Sequence, residues 1–163
     1  MGTRIERLDA RHDRQGFACG NAALDEFLRQ HAGQQQRKGF GKTYVALEDD
    51  SDQVVGFVTL SAGQIATVDL PESAKLPHHP APVLRIGRLA VDLTAQGKGV
   101  AQDLLAHALH VALQFSAQVG IYAVVVDAKH EQAAAFYRRL GFIALLDNPL
   151  CLFLPLHTLR QTQ

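Results

Sequence analysis

Between Arg88 and Ala101 the sequence reads RLAVDLTAQGKGVA. An apolar run stops at Asp92, a loop with glycines at 97 and 99 follows, and a helix-periodic stretch begins directly behind it. The start of a helix carries backbone N–H groups that no carbonyl of the helix reaches, and also the positive end of the macrodipole. Behind a glycine-bearing loop, such a start is an anion site. Gly97 and Gly99 let the backbone approach a bulky ligand and Lys98 adds a positive charge, so phosphate is the guest that suits this chemistry. The segment lacks the Lys-Ser/Thr ending of a nucleoside triphosphate loop and the three-glycine fingerprint of a dinucleotide site. A plain strand-to-helix turn would use the same glycines.

A second chemical group is Tyr137, in FYRRLG. A phenol with a pKa of about 10 stays protonated at neutral pH and can donate to a thiolate whose conjugate acid lies near 8.5. The same tyrosine also suits packing on one face of the last long helix. Phe136 beside it points elsewhere and reads as core. The histidines read as bland: His78 and His79 as loop surface without metal-binding partners, His107 and His110 on the polar side of a helix, and His31 as exposed. Cys19 and Cys151 form neither a disulfide framework nor a metal spacing, read as small buried apolar residues, and suit a reducing cytosol. No Cys/His/Asp constellation emerges and no metal is expected.

The elements that must position these groups follow from pattern. With 163 residues, 47% hydrophobic and 20% charged, the chain reads as one globular domain over 1–163. Lys+Arg and Asp+Glu number 16 each, so no net charge steers the whole molecule. Residues 1–42 nonetheless hold eight bases against five acids, either a solvated surface or a patch for an anionic partner. No apolar leader opens the sequence and no apolar run approaches a membrane span, so a cytoplasmic protein is expected.

Thr3–Asp9 alternates as a short strand. Gly20 or Asn21 caps a helix in which Ala23, Leu24, Phe27, Leu28 and Ala32 share a face, and residues 39–41 end it. KTYVAL and VVGFVTLSA form an antiparallel hairpin across an acidic turn. Residues 70–82 form a proline-rich loop. Val83–Asp92 is a strand in which Gly87 marks a bulge or a close approach. Gly99–Gln118 is a helix with Val100, Leu104, Ala108, Val111 and Phe115 in one buried stripe, flanked by Leu105, Leu109 and Ala112. IYAVVVDA is a strand buried on both faces. HEQAAAFYRRLGF is a helix closed by Gly141, and CLFLPL is a final strand whose Pro155 marks its end or an edge. The class is mixed α/β, with one right-handed parallel crossover over 83–126.

Taken together, RLAVD, QGKGVA, VVVDA and FYRRLGF resemble the GNAT acetyltransferase superfamily over roughly residues 43–155. Gln96, Gly99 and Ala101 match its Gln/Arg-x-x-Gly-x-Gly/Ala loop. The resemblance implies a sheet that is mostly antiparallel with one parallel crossover, flanked by helices. It implies that Gln96, Gly97, Lys98, Gly99, Val100 and Ala101 hold the diphosphate of acetyl-CoA, and that Leu89, Ala90 and Val91 bond the pantetheine arm through backbone groups. His130 and Phe136 join the cofactor-binding set, and Tyr137 stands where the superfamily protonates the coenzyme A thiolate. Many relatives carry Asn or Asp where this chain has His130; it caps the helix or bonds the coenzyme arm, and Asp127 is the alternative cap. Backbone N–H groups near Leu89–Val91 are placed to stabilise a tetrahedral oxyanion.

FACGNAALDEFLRQHA and LCLFLPLHTL extend the resemblance, toward the TacT-like toxins of bacterial toxin–antitoxin pairs. That implies acetylation of the α-amine of aminoacyl-tRNA, blocked translation, a ribbon-helix-helix antitoxin partner and a homodimer. An α-amine has a pKa of about 7.7–8.0, so a neutral fraction exists near pH 7 without a dedicated base, and a water relay suffices. RNA demands phosphate contacts, for which Arg29, Arg37, Lys38, Lys42, Arg85 and Arg138 are candidates, with Arg88 and Arg139 nearby. An antitoxin with an acidic tail would use the same bases. Two other readings stay open: a GNAT enzyme acting on a small-molecule or protein amine, and a GNAT fold that only binds.

Overall fold

The alternation TRIER makes β1 (Thr3–Arg7), antiparallel to β2 (Lys42–Glu48). β2 turns at the acidic loop into β3 (Val54–Ile65), its antiparallel neighbour. β4 (Ala81–Val91) follows in the sheet and runs parallel to β5 (Ala123–Asp127), with Val83–Ile86 facing Ala123–Val126. Parallel neighbours need a long crossover, supplied by helix α3 (Val100–Ser116). β5 is antiparallel to β7 (Cys151–Pro155), which is in turn antiparallel to the two-residue β6 (Ile143–Ala144). The seven-stranded order is β1-β2-β3-β4-β5-β7-β6, a mixed α/β sheet with a single parallel pair among those whose register is defined. The computed structural model describes residues 3–71 and 75–160; positions 72–74 of the loop expected over 70–82 lie outside the described residues.

By internal contacts the chain divides into two units. The first runs to Ser61 and adds Gly87–Leu109. Its core gathers Leu8, Phe17, Leu24, Phe27, Leu28 and Phe57. Of the two caps expected, Gly20 or Asn21, Asn21 caps the helix, its Oδ1 accepting from the amides of Ala23 and Leu24. That helix has three parts: α1 (Ala22–Glu26), a π-helical turn over Phe27–His31, and α2 (Ala32–Arg37). The π turn is fixed by the Ala32 N–H bonding to the Phe27 carbonyl, five residues back, and the Leu28 carbonyl accepts from Arg14 at 3.2 Å. Phe27 stacks on Phe57, and Phe17 meets Phe57 edge-on. Buried His12 accepts the Asp9 amide on Nδ1, which leaves Nε2 to donate to Glu6. That bond, before the help of Arg11 and Arg4, holds the Glu6 carboxyl down at about 2.

The second unit comprises Ala62–Ile86 and the chain from His110 onward. Ile65, Leu70, Val83, Val125, Cys151 and Phe153 form its core. Helix α4 (Glu131–Arg139) is closed by Gly141 at φ 100°, whose amide bonds the Arg138 carbonyl. Pro155 ends β7, and helix α5 (Leu156–Arg160) begins directly after it. Neither β6 nor α5 was expected; at two and five residues they are too short to show a period. The expected stripe of α3 holds at Val100, Leu104, Leu105, Ala108 and Ala112, whereas Leu109 and Val111 are half-buried and Phe115, one residue before the helix ends at Ser116, is exposed. Among the described residues no helix is long and apolar enough to cross a membrane.

One glycine lets the start of α3 close on the sheet. A Cβ at Gly56 would sit 3.0 Å from both Leu104 Cδ1 and Val100 Cγ1, and 3.2 Å from the Ala90 carbonyl oxygen. Gly56→Val is therefore expected to lower unfolding stability by about 1–3 kcal/mol through overpacking, read as a lower urea midpoint. An unchanged midpoint would contradict this packing.

Candidate functional site

The glycine-rich loop lies within the first unit. After β4, Asp92 starts a short 3-10 turn (Leu93–Ala95), with its Oδ2 accepting from Thr94 N at 3.0 Å and Thr94 Oγ1 at 2.6 Å. Gly97 and Gly99 then take φ of 80° and 85°, a left-handed conformation that side chains other than glycine adopt at a cost. Among the described residues, and apart from each glycine's chain neighbours, nothing lies within 4 Å of where a Cβ would stand on either, so the loop is open on that side. α3 begins at Val100, and the Asp103 amide bonds the Gly99 carbonyl. The amides of Gly99, Val100, Ala101 and Gln102 thus precede the ladder of the helix. Lys98 is exposed between the glycines. These residues fit a diphosphate: an open loop, a helix start and a cation.

Gln96 faces the protein. Its Nε2 donates to the Val91 carbonyl at 3.0 Å and the Cys19 carbonyl at 3.2 Å. Asp92 likewise reaches back, accepting the Ala18 amide at 2.9 Å. Burial pushes the Asp92 carboxyl up, but hydrogen bonds from Thr94 and Ala18 outweigh it and hold the group below its ordinary value. Leu89 and Val91 are half-buried and Ala90 is buried. Gly87 shows the close approach expected of it, since a Cβ there would come 3.1 Å from Thr59 Oγ1.

Arg88 places its guanidinium 3.7 Å over the centre of the Phe27 ring. Burial lowers its pKa. Phe27, Phe40, Thr43, Thr59, Ser61 and Arg88 line one pocket of this unit, and Phe40 is 75% exposed at its rim. The pattern of the sequence did not single out this pocket, because its residues come from four separate segments. Arg29 is half-buried and donates to the Phe17 carbonyl at 2.6 Å. Arg37, Lys38 and Lys42 are exposed around the end of α2 and the start of β2.

In the second unit Tyr137 is buried at 6% exposure. Its ring lies edge-on to both Phe136 and Phe142. Burial pushes its phenol up to about 12. Phe136 is half-buried rather than core, because the buried face of α4 runs through Ala134 and Tyr137. His130 caps α4, its Nδ1 accepting the Ala133 amide at 3.2 Å. Asp127 does not cap; it pairs with Arg85 at 2.5 Å. Arg138 pairs with Glu131 and Arg139 is exposed. His107 is half-buried against the Tyr44 ring instead of on the polar side of α3, while His31, His78, His79 and His110 are exposed. Among the described residues no group of three or more His, Cys, Asp or Glu could hold a metal ion.

Comparison with known proteins bears on both units. The acetyltransferase (GNAT) family profile matches residues 8–142. The chain is 34% identical over 150 residues to the tRNA-acetylating toxin of Mycobacterium tuberculosis (strain ATCC 25618 / H37Rv), covering 91% of this chain and 89% of that protein. It is 34% identical over 167 residues to the probable toxin TacT of Sinorhizobium fredii (strain NBRC 101917 / NGR234), covering 96% and 92%. Among solved structures, AtaT complexed with acetyl-methionyl-tRNAfMet superposes with a TM-score of 0.93 at 36% identity over 99% of both chains. A tyrosine-to-phenylalanine mutant of AtaT, bound to the C-terminus of the antitoxin AtaR and acetyl-CoA, gives 0.84 at 34% identity, again over 99% of both.

The Tyr137 phenol is expected to keep its proton well past pH 10. The absorbance difference between the wild type and Tyr137→Phe should titrate with a midpoint at about 12. A midpoint near the ordinary value of 10.0 would show that the ring is not buried as described.

Proposed function

Because the chain belongs to the acetyltransferase (GNAT) family, we propose that it is an N-acetyltransferase toxin that moves the acetyl group of acetyl-CoA to the α-amine of aminoacyl-tRNA and so blocks translation. The observation that carries this reading is the likeness, over nearly all of both chains, to AtaT complexed with acetyl-methionyl-tRNAfMet. We assign it an antitoxin of the ribbon-helix-helix class, a homodimeric state, and action in the cytoplasm, where charged tRNA is found.

Acetyl-CoA supplies an acyl thioester. The amides of Gly97–Ala101 and the charge of Lys98 hold its diphosphate, and backbone groups of Leu89–Val91 take the pantetheine arm. His130 and Phe136 complete the set. The aminoacyl end enters the pocket of Phe27, Phe40 and Arg88, whose aromatic walls suit an apolar side chain and whose guanidinium suits the nearby phosphate. The α-amine attacks in its neutral form, which is available near pH 7. The C–N bond forms, the C–S bond breaks, and the amine gives up a proton as the sulfur gains one. A phenol at about 12 does not favour full transfer to a thiolate near 8.5. Tyr137 therefore works as a hydrogen-bond donor to the departing sulfur and completes the transfer only as a relay returns a proton. Arg37, Lys38 and Lys42 form the exposed contact to RNA phosphates; Arg29, Arg85 and Arg138 can add only the donors left over from the Phe17 carbonyl, Asp127 and Glu131.

The test combines labelled acetyl-CoA with total charged tRNA. Label should appear on RNA and leave it under mild alkaline deacylation. The zero net charge favours a second reading, a small-molecule or protein amine as acceptor, and unlabelled RNA with small amines accepted would establish it. Tyr137→Phe is expected to keep acetyl-CoA affinity while turnover falls by about 10²–10⁴; an unchanged rate removes Tyr137 from the chemistry. Gly99→Asp, which adds a side chain at positive φ and a like charge at the diphosphate, is expected to abolish acetyl-CoA binding in calorimetry. Intact affinity would refute the loop assignment.

A further inference from the structure

A short strap, Phe17–Cys19, is bonded on one side to the diphosphate loop and on the other to the α1–π helix. Toward the loop, the Ala18 amide donates to Asp92 Oδ1 at 2.9 Å and the Ala18 carbonyl accepts the Leu93 amide at 2.9 Å. The Cys19 carbonyl accepts Gln96 Nε2 at 3.2 Å. Toward the helix, the Cys19 amide donates to Oδ1 of buried Asp25 at 2.9 Å, and the Phe17 carbonyl accepts Arg29 at 2.6 Å. The glycines of the loop carry no side chains and have open space beside them, so packing does not fix their conformation. Fixed polar bonds from outside must do it.

We propose that the Phe17–Cys19 strap holds the diphosphate loop in its binding conformation, with Asp92 as the positioning residue at the junction; this rests on the acetyl-CoA reading of the loop. Asp92 does not touch the coenzyme in this account. It fills both carboxylate oxygens with donors from the strap and from Thr94. The sign of its effect is diagnostic. A carboxylate acting only through its charge would repel the diphosphate, and removing it would tighten binding. A carboxylate that positions the loop does the opposite when removed.

The experiment measures acetyl-CoA affinity by calorimetry for wild type, Asp92→Ala and Asp92→Asn, together with KM for charged tRNA at saturating acetyl-CoA. Asp92→Ala, which removes all three hydrogen bonds that hold the start of the loop, is expected to bind acetyl-CoA about tenfold more weakly. KM for charged tRNA should stay within about twofold, a split that general loosening of the fold would not produce. Asp92→Asn keeps an acceptor oxygen for Ala18 and is expected to recover part of the affinity. If Asp92→Ala does not fold, Asp92→Asn and Thr94→Ala give the same reading, each with a smaller loss confined to acetyl-CoA. Unchanged or tighter acetyl-CoA binding in the folded variants, or both parameters worsening together, overturns the inference alone. Wild-type protein that does not bind acetyl-CoA overturns the acetyltransferase reading and this inference with it.

Discussion

A helix cannot bond its own first amides, and in this protein the amides at issue run from Gly99 to Gln102. The site depends on these donors being held in place while, among the described residues, no side chain fills them. A capping serine or aspartate before α3 would take one of these donors and crowd the site. Glycine stands there instead, at positive φ, with Gly97 two residues earlier in the same conformation. The cost is a loop with little packing of its own. Gly56 brings the first turn of α3 against β3, and Asp92 and Gln96 tie the approach to the loop back to Ala18 and Cys19.

The charges divide between internal and external work. Arg14 and Arg29 are committed to the Leu28 and Phe17 carbonyls, and Arg85 and Arg138 to Asp127 and Glu131. An arginine that holds a backbone carbonyl shapes the fold and has fewer donors for a ligand. Arg88 differs: it is desolvated over an aromatic ring and lines a pocket. A protein with no net charge must recognise a polyanion through such local placement rather than through its overall field.

Local pattern revealed the loop, the extent of α3 to within two residues at each end and the Gly141 stop, and narrowed the first helix cap to Gly20 or Asn21. These depend on neighbours in sequence. The π turn was hidden because Phe27, Leu28 and Ala32 fit an ordinary helical face as well as the five-residue spacing that forms. The role of Asp92 was hidden because its decisive bond crosses 74 residues, as does the 77-residue reach of Gln96. Its bonds to Thr94 were readable as a turn signal, but nothing local pointed to Ala18. Asp127 and His130 were both plausible caps by type; only position, with Asp127 still inside β5 and drawn to Arg85, decided between them.

Amide hydrogen exchange, with and without coenzyme A, tests the central claim most directly. If the diphosphate sits on the start of α3, the amides of Gly97–Gln102 should slow together on adding coenzyme A, while the rest of α3, already bonded in its own ladder, changes little. Coenzyme A that binds yet leaves those amides exchanging at their free rate would contradict the account.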